Sequence, residues 1–246
     1  MIIWARSDFQ FVSKGWKSFI EGVLYFTIGV ACVVVAANHL GYTKFDIPFI
    51  GAESSVASTW DTRASKVVEA MDYKNPTTRD YALIMVEEDH GGKYNIAQIC
   101  DVWEKTYKRW TYVNDPKGFN YYSPASRTIK LGLKGDCDDF AILVASTMMA
   151  IGGSSRIILA SNTDGAGHAY AEVRVASSKA GLDGVAAYIC LRYHCKSISY
   201  RTSTDGGKTQ YWLNLDWQAK HPGGPYYKNN GETVVIYPNG RWVKLK

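Results

Sequence analysis

Gly135-Asp136-Cys137-Asp138-Asp139-Phe140-Ala141 is the stretch whose reading decides the fold. It sets one cysteine at the head of a long apolar run, Phe140 to Ile151, that stops at Gly152-Gly153. Gly135 and Asp136 supply turn and N-cap chemistry, so the run reads as a helix starting at Cys137. A cysteine there faces unpaired backbone N–H groups and the positive end of the helix dipole, which favour the nucleophilic thiolate. Asp138 and Asp139 push the other way, so a histidine partner is required to form an ion pair. His168, in Gly165-Ala166-Gly167-His168-Ala169-Tyr170, is the candidate, at the opening of a strand-like segment. Further on, Tyr211-Trp212-Leu213-Asn214-Leu215-Asp216-Trp217 ends a second strand-like segment on an acid. His168 follows Cys137 by 31 residues and Asp216 follows His168 by 48.

These three segments, in the order Cys, His, Asp, resemble the transglutaminase-like superfamily, most closely its bacterial transglutaminase-like cysteine peptidase branch. The resemblance covers Trp103 to Trp217. It implies an α+β fold with a papain/transglutaminase-like core, in which a helix carrying the cysteine packs on an antiparallel sheet carrying the histidine and the acid. It also implies roles: Cys137 as nucleophile, His168 as the base, and Asp216 as the group that orients the imidazole. The backbone N–H of Cys137 is the natural first oxyanion donor. Trp103, Trp110 and Asn114 are candidates for a second, and the sequence does not choose among them. The implied activity is hydrolysis of a peptide or amide bond through a Cys thioester. Transfer to an amine on the same triad, and a non-catalytic scaffold that keeps the fold, are the alternatives.

Plainer readings stand beside these. A cysteine on an apolar helix is usually core, but Cys137 precedes the apolar run among charges. Asn214 rivals Asp216, since an amide can also orient imidazole and i, i+2 residues share a strand face. Asp136, Asp138 and Asp139 lack the Gly and Glu spacing of a calcium loop and read as capping residues, so no metal and no cofactor are expected. Cys190 and Cys195 would need a turn between them to form a disulfide.

The 246 residues carry a net charge of +5 with no Lys/Arg run longer than two, which argues against a nucleic-acid partner. Five cysteines occur without a CxxC pair, which argues against zinc. Gly22 to Thr43 contains no Asp, Glu, Lys or Arg and is long enough to span a bilayer. Arg6, Lys14 and Lys17 precede it, which orients the N-terminus inward. A cleaved signal ending at Val35-Ala36-Ala37 and a buried core helix are the rival readings. The expected organisation is a cytoplasmic segment 1–18, a transmembrane anchor 19–41, a linker 42–62 and an extracytoplasmic catalytic domain 63–246. The expected partners are the membrane and a protein or peptide substrate in the cell envelope; the oligomeric state is left open.

The remaining pattern is helical before Cys137 and strand-like after it. Asn75-Pro76 opens a helix over 77–88, and Ile96, Ile99, Val102, Trp103 and Tyr107 recur at helical spacing. Trp110–Val113 reads as a short strand and 114–134 as a loop. Strands are expected at 156–160, 168–175, 186–193, 210–216, 233–237 and 242–245, with turns at Asp205-Gly206-Gly207, Pro222-Gly223-Gly224 and Pro238-Asn239-Gly240.

Overall fold

The Cys137 helix is the axis of the structure. The computed structural model describes residues 59–116 and 121–245. Counting elements in chain order, helices α1 (Thr59–Ala70), α2 (Pro76–Met85) and α3 (Ile96–Arg109) precede strand β1 (Thr111–Tyr112), helix α4 (Ala125–Lys130) and strand β2 (Lys134–Gly135). The Cys137 helix is α5 (Cys137–Ala150), followed by β3 (Ser155–Ser161), β4 (Gly167–Ala176), α6 (Lys179–Tyr193), β5 (Tyr200–Asp205), β6 (Lys208–Asn214), β7 (Thr233–Ile236) and β8 (Trp242–Leu245).

Every residue of α5 from Asp138 to Met148 is buried. A helix apolar on all sides must be enclosed. Here α2, α3 and α4 cover one side, and β3 and β4 the other. Burying side chains such as Phe140, Leu143 and Met148 contributes about 1.5–3 kcal/mol each, which anchors this helix in the core. Local chemistry starts the supporting helices. Asn75 accepts from the Thr77 amide at 3.0 Å with Pro76 in the first turn, and Asn95 accepts from the Gln98 amide at 3.1 Å.

The main sheet has the order β5-β6-β4-β3-β7-β8, and every neighbouring pair is antiparallel. Alternation along its strands separates two apolar layers. Ala169, Ala171, Val173, Ile157 and Leu213 join α5 in the main core, whereas Tyr170, Ile158, Ala160 and Val235 form a second cluster with Tyr226, Tyr227 and Tyr237. β6 runs antiparallel to β4 with Glu172 opposite Asn214. Two further residues along, Asp216 stands one diagonal step from His168, within reach of a side-chain contact. β1 and β2 form a separate parallel pair, Thr111 with Lys134 and Tyr112 with Gly135. That pairing lays residues 111–114 alongside the entry to the Cys137 helix.

Three expectations need correction. The fold class included one transmembrane helix, but among the described residues no helix is long and apolar enough to cross a membrane. The stretch 19–41 lies outside the described residues, as do 1–18 and most of the linker; the described fold is α+β. The strand expected at 186–193 is instead the second half of helix α6, so the helices are not confined to the first half of the domain. Leu182, Val185 and Ile189, three to four residues apart, are the buried face of α6. Ser178 caps its start by accepting from the Gly181 amide at 3.2 Å, and left-handed His194 (φ 54°) ends it. The expected loop 114–134 contains α4 in its second half and ends on Lys134, the first residue of β2.

The turn at His194 brings Cys195 back beside Cys190, with Sγ atoms 2.8 Å apart and both thiols free. The separation expected from an extended strand therefore does not arise.

Candidate active site

Cys137 is the first residue of α5, and the residues around it are held by a capping box. Asp136 is extended (φ −100°, ψ −156°), and its carboxylate accepts from the Asp138 amide at 3.1 Å. The Asp139 carboxylate reaches back to accept from the Asp136 amide at 3.4 Å and also accepts from the Ser123 amide at 3.0 Å. Gly135 makes room for this: a Cβ there would lie 2.6 Å from that of Asp139. A side chain at 135 would push Asp139 out of the box and shift the residue that carries the thiol.

His168 opens β4 and is 95% buried, its exposure being 5%. Its Nε2 lies 2.8 Å from Oδ2 of Asp216. A carboxylate can only accept, so Nε2 carries the hydrogen and Nδ1 keeps a lone pair. The ring is packed by Tyr227, with centroids 4.6 Å apart, and by Tyr170 at 5.9 Å. Asp216 is held in turn: Oδ1 accepts from the Gln218 amide at 2.9 Å, and the Asp216 amide donates to Oδ1 of Asn214 at 3.1 Å. Asn214 donates through Nδ2 to the carbonyls of Gly224 (3.0 Å) and Pro225 (3.1 Å). Its amide is thus engaged with the loop beyond β6, and the structure gives the imidazole to Asp216.

Cys137 and His168 line one cleft of about 460 Å³, together with Asn114, Tyr112, Trp60 and Arg63. The three oxyanion candidates separate here. Trp103 spends its Nε1–H on the carbonyl of Leu215 at 3.0 Å, which ties α3 to the strand end that carries Asp216. Trp110 packs edge-on against Phe140, with centroids 5.1 Å apart, and does not line the cleft. Asn114 does line it. Tyr112, which the sequence did not single out, shares the cleft. Its hydroxyl is pushed up to about 12 by burial and then by the charge that Cys137, Asp136 and Asp138 carry when ionised, so it is a donor in the same cleft at neutral pH. The signal for Tyr112 was its spacing: residues 112 and 114 fall on one side of an extended segment.

The protonation expected for Cys137 is also corrected. Burial pushes the thiol up to about 12; the amides of Ala169 and of Cys137 itself pull it down, and Asp136 and Asp138 push it further up. Desolvation and two acids oppose the helix dipole and favour the thiol over half of an ion pair. The rate of alkylation by iodoacetamide is therefore expected to climb through pH 9 without a plateau between pH 6 and 8. A titration below about 7.5 would restore the ion pair.

Asp136, Asp138 and Asp139 place carboxylate oxygens within 4.8 Å of one another, which is close enough to share a cation. Two of the three already serve the capping box. Oδ1 of Asp138 is buried without a hydrogen-bond partner among the described residues. Burial, then the bond to Asp136 and the charges of Asp136, Asp139 and Asp115, push Asp138 up to about 9. An acid raised in the native state keeps a proton that the unfolded chain sheds above about pH 4, so its contribution to stability falls as pH rises from about 4 to about 9. Asp138→Asn is neutral at every pH. In chelator-containing buffer its melting temperature is expected to exceed the wild type's by several degrees at pH 8 and by less at pH 5. A gap that does not widen with pH would show that Asp138 is ionised in the fold.

The model of the transglutaminase-like superfamily matches residues 85–216, a span that begins at the end of α2 and closes on Asp216. The chain belongs to the transglutaminase-like superfamily. Two solved structures are similar to parts of it. One is a protein from Cytophaga hutchinsonii assigned as a cysteine protease, with 18% identity over 39% of this chain and 32% of that one, and a TM-score of 0.32. The other is a TGase, with 17% identity over 56% of this chain and 34% of that one, and a TM-score of 0.25. The chain spans about a third of the length of each. No curated protein matches it.

Proposed function

We propose that this transglutaminase-like chain is a cysteine hydrolase that opens a peptide or amide bond of a protein or peptide substrate through a thioester on Cys137. The observation that carries the reading is the 2.8 Å bond from His168 to Asp216 in a cleft that also holds Cys137. The bond commits Nε2 and leaves Nδ1 as the only ring atom able to take a proton. As Sγ attacks the substrate carbonyl, the thiol proton passes to Nδ1 in the same event, because the thiol is not ionised beforehand. The oxyanion is met by the Cys137 amide and by Asn114 or Tyr112. His168 then protonates the leaving amine, and the C–N bond breaks to give the thioester. Water attacks next, giving a proton to Nδ1, and His168 returns that proton to Sγ as the C–S bond breaks and the carboxylic acid product is released.

Incubation with a peptide library, followed by mass-spectrometric mapping of new termini, tests this. New termini that appear with wild type and not with Cys137→Ala are expected. The same mixture should contain a biotinylated primary amine. Its incorporation at glutamine without new termini would assign transglutamination instead, and no product of either kind would assign a binding scaffold.

A further inference from the structure

The far end of α5 opens on a second cavity, larger than the active-site cleft, at about 670 Å³. Met149 and Ser155 line it, as do β5 residues Thr202 to Asp205 and β8 residues Val243 and Leu245. The two outer strands of the sheet, β5 and β8, thus contribute to one trough. Three arginines line it. Arg156 is buried and neutralised by Glu172, its Nη2 lying 2.6 Å from Oε2. Arg174 and Arg241 are exposed and form no ion pair among the described residues, and the only acid in the lining is Asp205. Exposed guanidinium groups without an ion pair are donors suited to carboxylates.

The aromatic groups narrow the ligand. The Arg156 guanidinium lies 4.1 Å from the centre of the Trp212 ring, and that of Arg241 lies 4.0 Å from that of Tyr237. Trp212 meets Tyr237 edge-on and donates to Ser203 at 2.8 Å. Each ring already carries a cation, which disfavours stacking by a sugar or a base. What remains is charge complementarity to an acidic chain.

We infer that this trough is an exosite that holds an acidic, Asp- or Glu-bearing stretch of the polypeptide substrate, away from the bond that Cys137 attacks. The inference rests on the proposed hydrolase reading for the word substrate. Met149 lies twelve residues along α5 from Cys137, about 18 Å at the helical rise. An extended chain crosses that distance in no fewer than about five or six residues. The acidic stretch is therefore separated from the scissile bond by at least that many.

Binding is measured on the full-length Cys137→Ala protein, so the outcome does not depend on catalysis. Fluorescein-labelled hexaglutamate is expected to raise anisotropy saturably, and labelled hexaglutamine is not. Arg174→Glu with Arg241→Glu should weaken hexaglutamate by about tenfold or more, whereas Lys93→Glu with Lys130→Glu, the same change in net charge on exposed residues, should leave it within about twofold. Arg174→Gln with Arg241→Gln provides a milder pair, and circular dichroism checks that each variant is folded. Equal binding by the arginine variants, equal loss in the lysine control, or equal binding of hexaglutamine would overturn the exosite. So would displacement of the peptide by free glutarate or phosphate at the peptide's own concentration, which would make the trough a small-anion site. If the exosite fails while Cys137-dependent cleavage stands, the hydrolase reading survives. If cleavage fails while binding stands, the trough is a docking site on a scaffold.

Discussion

Replacing His168 by Ala is expected to slow acylation of Cys137 by on the order of 10⁴–10⁶-fold, the scale seen when a triad loses its nucleophile or base. The size follows from the resting thiol. With the sulfur protonated up to about 12, an isolated cysteine has almost no thiolate at neutral pH. The proton acceptor is then part of the attack itself. The measurement is the rate of p-nitrophenol release from p-nitrophenyl acetate, at a temperature where circular dichroism shows the variant folded. The cavity left at a residue that is 95% buried (exposure 5%) should also accept free imidazole, which should partly restore the rate. A loss of less than tenfold would show that His168 is not the base.

Asp216→Asn is expected to cost about 10²–10⁴-fold in the same rate, by analogy with the serine triad, or about 3–5 kcal/mol of transition-state stabilisation. The mechanism is a tautomer switch. An Asn amide can donate to Nε2, which moves the ring hydrogen to Nδ1, the atom that must take the thiol proton. Asn214→Ala separates position from chemistry. It leaves the carbonyls of Gly224 and Pro225 and the Asp216 amide without their side-chain partner, so it should lower stability by about 1–3 kcal/mol and turnover much less than Asp216→Asn. If Asn214→Ala on a folded protein is the slower variant, Asn214 orients the ring and Asp216 does not.

The sequence made legible those parts that depend on local chemistry. The capping signature at Asp136 and the uninterrupted apolar run after Cys137 require an enclosed helix with the cysteine at its head, and α5 is that helix. Alternation put His168 on β4, whereas β6 ends at Asn214, two residues short of the expected Asp216, which caps the following 3-10 turn; the antiparallel register still brings Asp216 to His168. The orientation of Asn214 was not legible. Both of its candidate roles put it beside Asp216, and only the positions of Gly224 and Pro225 show where its amide points. The strand expected at 186–193 failed because Ala186 to Ile189 is a short apolar run that fits either period. The deciding residues, Leu182 and Val185, lie just before it. Choosing among Trp103, Trp110 and Asn114 required the β1–β2 pairing, a contact between segments more than 20 residues apart. The upward push on the thiol was not legible because burial by surrounding elements is a tertiary quantity, whereas the helix dipole is a local one.

The acyl-enzyme itself is the most direct test of a Cys137 nucleophile served by His168 and Asp216. The protein is mixed with p-nitrophenyl acetate at neutral pH, quenched in acid within the first turnover, digested and mapped by mass spectrometry. An acetyl group on the Cys137 peptide is predicted, formed rapidly in wild type, slowly in Asp216→Asn and scarcely in His168→Ala. Acetylation that bypasses Cys137, or that reaches Cys137 equally fast in all three proteins, would contradict it.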